Sequence, residues 1–180
     1  MIFSYEECIE KYGSDYRIKK VILEGTLFKL APGIYSDQKN EPDTAIMRKK
    51  YPYAVFTLNS AFYYQGLTDT VPSSYYLATD KDASKIKDKN VTQIFDNNNS
   101  MDLGVEILNY NGDDVRVFTK ERLLIELIRN KNSLSYDYYK EIIKNYRKMI
   151  YSLDFQLVEE YAERLPKTRM VMNTIQTEVF

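Results

Sequence analysis

Apolar side chains in the first 35 residues recur at helical spacing and then give way to short strand-like runs. Ser4 with Glu7 three residues on has the form of a capping box, and Gly13 is placed to end the helix it opens. Ser14 or Asp15 then caps a second helix to Glu24, closed by Gly25, with Ile18, Val21 and Ile22 on one face and Arg17, Lys20 and Glu24 on the other. Residues 26–30 and 34–35 flank Pro32-Gly33 and predict a hairpin. Helix, tight turn, helix and hairpin follow in the order of a winged helix-turn-helix.

Ser36 to Asp43 is polar and predicts a linker, so the reading divides the chain into a reduced winged helix-turn-helix over 1–37 and an α+β domain over 38–180. In the second part the patterning predicts helices over 43–50 and 57–65 and strands over 75–79 and 91–95. A polar turn over 96–100 follows, then strands over 105–110 and 115–118 joined through Asn111-Gly112, a strong two-residue turn signal. Thr119, Ser135 and Asp154 each precede a helical pattern, and a last helix runs from Lys167 to Val179. The expected fold class is α+β, with a small antiparallel sheet and C-terminal helices.

The apolar fraction of 44% provides for a sizeable core, and a net charge of −1 gives no global pull toward nucleic acid. Any DNA contact must come from a local patch. A single cysteine, Cys8, precludes an intramolecular disulfide and fits a reducing compartment. The N-terminus lacks signal-peptide patterning, and no apolar run reaches the ~18 residues of a membrane span, so a cytoplasmic protein with no membrane partner is expected.

The chain has no histidine, which removes Ser-His-Asp triads, Cys-His dyads and His-ligated zinc. Neither a Walker-type phosphate loop nor a Gly-x-Gly-x-x-Gly turn occurs. Asp113-Asp114, Asp80 with Asp82, and Glu159-Glu160 each suit a turn, a solvated loop or a helix start. The expectation is a protein that is not an enzyme, with no catalytic residues, cofactor or bound metal.

The sharpest local signal is in the second helix. Arg17 can fork onto a guanine edge, Lys19 and Lys20 can neutralise phosphates, Tyr16 can donate to a phosphate, and Lys29 on the hairpin can reach flanking backbone. These five residues are the candidate DNA contacts. A second basic stretch, Thr119 to Lys148, reads either as another polyanion surface or as a helix pair with charged outer faces.

Four ordered segments resemble the AbiEi-type antitoxins, regulators of bacterial abortive-infection (type IV) toxin–antitoxin pairs. Ile18–Leu27, running on to Pro32–Tyr35, resembles the recognition helix and wing of that family. Tyr51–Asp69 is similar to its "YP-x-A" to "G-L-T-D" block, Val115–Phe118 to its hairpin return strand, and Glu121–Leu124 with Leu127–Arg129 to its "ER" helix. The resemblance implies a winged helix-turn-helix that represses its own operon by binding inverted repeats in operator DNA. It also implies a C-terminal domain that counters a nucleotidyltransferase-like toxin in phage defence without a stable complex, and it is compatible with a homodimer. Two positions depart from the family: about a dozen residues precede the recognition helix, where the family has a further leading helix, and Leu58-Asn59 stands where the family often has His-Glu. The rival expectations are a stand-alone winged-helix transcriptional regulator without a toxin and a protein-binding module that has lost DNA binding.

Overall fold

A computed structural model describes residues 1–96 and 98–180. The chain is α+β and forms two compact units. One comprises residues 1–53 with 108–115, the other residues 54–107 with 116–180.

The first unit opens with β1 (Ile2–Ser4), α1 (Tyr5–Tyr12) and α2 (Asp15–Leu23). The Ser4 capping box forms in full: the Glu7 N–H donates to Ser4 Oγ at 3.3 Å, and the Ser4 N–H donates to Glu7 Oε2 at 2.6 Å. Gly13 ends α1 at φ 83°, a left-handed conformation that a Cβ would strain, and its N–H closes on the Ile9 carbonyl. Ser14 Oγ then accepts from the Arg17 N–H and starts α2, so the two helices are joined by a two-residue turn. Strands β2 (Phe28–Ala31) and β3 (Ile34–Ser36) make the expected hairpin, with a bulge between Lys29 and Ala31.

Strand β1 was not legible in the sequence. It pairs antiparallel with β3, Phe3 opposite Tyr35, and gives a three-stranded sheet in the order β1-β3-β2. Phe3, Cys8, Ile18, Leu27 and Tyr35 form the core of this unit, edged by Ile9, Tyr12, Val21 and Ile22. Helix α3 (Asp43–Lys50) lies against β1 and β3. Lys49 Nζ bonds Glu7 at 2.6 Å, and Arg48 reaches Asp113 at 3.2 Å and the Asp114 carbonyl at 3.0 Å.

The second unit is organised around α5 (Lys120–Arg129), six of whose ten residues are buried. It is flanked by α4 (Leu58–Tyr64), α7 (Phe155–Arg164) and α8 (Thr168–Thr174); α6 (Tyr136–Lys148) packs on the π-helical turn 175–179. Strands β4 (Val55–Phe56), β5 (Tyr75–Asp80), β6 (Val91–Asp96), β7 (Val105–Tyr110) and β8 (Asp113–Phe118) form a sheet in the order β6-β5-β4-β8-β7. Residues 108–115, the tip of the β7–β8 hairpin, group with the first unit.

The sheet is mixed, not antiparallel as the sequence predicted: β4 pairs antiparallel with β5 but parallel with β8, and β5 pairs parallel with β6. Periodicity identifies a strand but not its partner, and the two-residue β4 is too short to register as a strand at all. The β7–β8 turn is as expected, with Asn111 at φ 52° and Gly112 at φ 87°. Of the polar turn expected over 96–100, residue 97 lies outside the described residues; Asp96 accepts from both the backbone N–H and the hydroxyl of Ser100.

Candidate nucleic-acid interface

The capped, two-residue turn before α2 fixes which of its faces is buried. Ile18 packs into the core at 1% exposure, with Val21 and Ile22 beside it. Lys19 and Lys20 therefore lie three and four residues beyond Tyr16, and Leu23 four and three beyond them, so all four share an exposed stripe along the opposite side. Tyr16 is 77% exposed. Arg17 flanks the stripe at the N-terminal end of the helix, close to Gly13. Lys29 is exposed on β2, opposite Tyr35 in register, and belongs to the hairpin instead of the helix stripe.

The stripe is partly self-neutralised. Lys19 pairs with Asp15 at 2.7 Å, and Lys20 with Glu24 at 3.8 Å, both across one helical turn. The hydrogen bond and charge of Asp15 raise the Lys19 pKa above its ordinary range, so this side chain stays cationic. Exposed pairs of this kind contribute little to stability and are screened by salt. A polyanion can therefore exchange Asp15 and Glu24 for its own phosphates at small cost.

Leu23 is the member of this surface that sequence reasoning passed over. At 88% exposure it continues the stripe one turn beyond Lys19 and Lys20. Its signal was available: Leu23 falls outside the Ile18-Val21-Ile22 face, so an apolar residue there has no place in the core.

The second basic stretch assembles differently. Arg122 is 2% exposed; it bonds Glu126 at 2.9–3.0 Å and the Ser100 and Leu103 carbonyls, with its guanidinium over the Phe118 ring. Burial lowers the Arg122 pKa, against the attraction of Glu126. Arg129 also pairs with Glu126 at 3.1 Å, and Lys131 and Lys140 converge on Glu178. Arg122 and Arg129 are held within α5, Lys131 and Lys140 link other elements to Glu178, and Lys144, Arg147 and Lys148 remain exposed on α6.

Each pair of carboxylates singled out from the sequence has a member with a protein partner: Asp80 Oδ1 accepts from the Asp82 N–H in a turn, Asp113 pairs with Arg48 at 3.2 Å, and Glu160 lies 3.8 Å from Arg164. Among the described residues, no group of three or more Asp, Glu, Cys or His side chains is placed to hold a metal ion, and no helix is long and apolar enough to cross a membrane. No protein-family model matches the chain, and no curated protein matches it.

Proposed function

We propose that this protein is a DNA-binding antitoxin of the AbiEi type, an autorepressor in the cytoplasm that also counters a nucleotidyltransferase-like toxin. In this reading α1 and α2 are the helix-turn-helix, β2–β3 is the wing, and β1 is the strand that closes the small sheet. Helix α3, lying on β1 and β3 and tied to α1 through Lys49–Glu7, provides the wall that the family's leading helix would otherwise supply. The observation that carries the reading is the exposed stripe of α2, which offers Tyr16, Lys19 and Lys20 with Arg17 alongside, on a helix of nine residues held by the core through Ile18. A helix of that length fits a major groove, where such side chains reach base edges and phosphates.

The test is co-expression of the full chain with the toxin gene beside it, following growth, for the natural sequence and for Arg17→Ala with Lys20→Ala. The expected outcome is rescue by both, because antitoxicity belongs to the second unit, and derepression of the operon by the double variant alone. Operator binding without rescue would leave a stand-alone winged-helix regulator; rescue without operator binding would leave a protein-binding module.

A further inference from the structure

The second unit carries an open cleft at the junction of α6 and α7, apart from the α2 surface. Its cavity volume is about 730 Å³, and its walls include Arg147, Ile150, Tyr151, Leu153, Phe155 and Phe180. No Asp or Glu side chain lines it among the described residues. Leu153 is buried, whereas Tyr151 is fully exposed and Phe180 is 72% exposed. The Phe180 ring lies on that of Phe155, with centroids 4.9 Å apart and planes tilted by 37°. Aromatic rings left in water beside a cavity offer flat surfaces on which a planar ligand stacks.

The cations beside these rings have no acid to neutralise them. Arg147 and Lys148 lie three and four residues beyond Lys144, so the three share one face at the end of α6, and all are exposed. Arg147 Nε donates to the Glu178 carbonyl at 2.7 Å, which holds the guanidinium at the cleft and leaves its two Nη groups without a protein partner among the described residues. Lys148 Nζ donates to Asn145 Oδ1 at 2.9 Å. None of the three pairs with a carboxylate among the described residues, whereas Lys19 and Lys20 on α2 both do. The acids close by in sequence or through the Glu178 contact are committed elsewhere: Glu178 to Lys131 and Lys140, and Asp154 to the Gln156 and Leu157 amides that it caps. A helix C-terminus favours cations by itself, but that preference does not account for the rings.

An anion that carries flat, partly apolar groups matches this set, with phosphates for Lys144, Arg147 and Lys148 and planar rings for Tyr151 and the Phe155–Phe180 pair. Nucleic acid has both, and only unpaired bases expose their faces to stacking. A duplex keeps those faces inside the helix. A second copy of this chain seated two-fold on the cleft would set the three cations against themselves. RNA presents unpaired bases in its loops and ends, the parts that proteins read.

We propose that this cleft binds single-stranded RNA, with Tyr151 and the Phe155–Phe180 pair stacking on unpaired bases and Lys144, Arg147 and Lys148 on the flanking phosphates. The site is separate from the duplex-reading surface proposed for α2, and neither depends on the other.

The experiment is an anisotropy titration of a short fluorescent RNA strand of mixed sequence with the full chain. The same strand as DNA, the RNA annealed to its complement, and anionic phosphatidylglycerol vesicles are run in parallel. The expected result is saturable binding of the RNA strand, tighter than that of the other three. Tyr151→Ala weakens it at least about fivefold, the low end for one stacked base, and Tyr151→Phe retains it. Lys144→Gln with Lys148→Gln lowers the salt slope by about 1.4, at ~0.7 for each phosphate contact on a single strand. Arg17→Ala with Lys20→Ala leaves this binding unchanged, which separates the site from α2. All of these side chains are exposed, so melting temperatures stay close to the natural chain's. No RNA binding at about 100 μM protein overturns the proposal. So does binding that Tyr151→Ala and the lysine variant leave unchanged, binding lost in the α2 variant instead, or tighter binding of the DNA strand, the duplex or the vesicles. If a variant proves unstable, photocrosslinking of 4-thiouridine RNA to the natural chain decides: adducts within residues 147–155 or at Phe180 are expected, and adducts only elsewhere overturn the proposal.

Discussion

Around Ile18 the first unit gathers four other buried side chains, Phe3, Cys8, Leu27 and Tyr35, and its elements are joined by a capping box, a two-residue turn and ion pairs from α3. Around α5 the second unit buries one face after another, with Leu123, Leu124, Ile125 and Leu127 fully covered and Tyr139 and Tyr146 packed among them. Some of its charges are internal too, as Arg122 and Glu126 illustrate. The unit with the thinner core is the one that displays the candidate DNA contacts, while the unit with the deep core buries Arg122 against Glu126 and leaves Lys144, Arg147 and Lys148 exposed on α6. A count of lysine and arginine in sequence therefore says little about which of them can meet a polyanion: both regions pair bases with acids of the same helix, but the Lys19 and Lys20 pairs are exposed and exchangeable, whereas Arg122 is buried.

The largest effect that separates the two units is expected at Arg122. Truncation by Arg122→Ala empties a buried guanidinium site and takes one donor each from Glu126 and the Ser100 and Leu103 carbonyls, a loss of about 3–5 kcal/mol read by chemical denaturation. A loss below about 1 kcal/mol would mean that the network is ornamental to the fold. Next is Ile18→Ala, a buried deletion with an expected cost of about 3 kcal/mol. It should speed hydrogen exchange throughout β1–β3 and α2 while leaving α5 protected. Equal acceleration in both units would show that they unfold as one.

The smallest effect is a pH dependence. Burial would raise the Glu178 pKa, but the bond from Lys131 and the charges of Lys131 and Lys140 outweigh it, and the value lies below the ordinary 4.5. A depressed carboxylate contributes stability above its unfolded value and loses it as pH falls through the folded one. Stability should therefore decline below about pH 4.5 more steeply in the natural chain than in Glu178→Gln, by no more than about 1 kcal/mol after solvent screening. Parallel pH curves for the two proteins would contradict this.

Much of the first unit was legible because its boundaries are local. Ser4 with Glu7, Gly13, Ser14 and Gly25 announce helix ends through the backbone groups they satisfy or the φ they adopt. Helix α3 was expected over 43–50 and occurs there. What escaped was pairing: β1 exists only because β3 is beside it, and Val55–Phe56 only because Leu77–Ala78 and Val117 flank it. After Gly66 the turn closes on Thr68 Oγ1, which accepts from the Thr70 N–H. On α2 the exposure of Tyr16, Arg17, Lys19 and Lys20 followed from spacing, but their partners did not, since Asp15 and Glu24 could equally have faced solvent alone. The burial of Arg122 had no local signal, because it depends on Ser100 and Leu103 arriving from a distant turn.

The most direct test of the account is selection from random duplex DNA by the full chain, followed by titration of the enriched sequence at several salt concentrations. The account predicts enrichment of an inverted repeat. It also predicts that Arg17→Ala with Lys20→Ala loses roughly tenfold or more in affinity and that the salt slope falls by about 1 for the lost phosphate contact. No enrichment, or an affinity that the double variant leaves unchanged, would contradict the assignment of α2 as a DNA-reading helix.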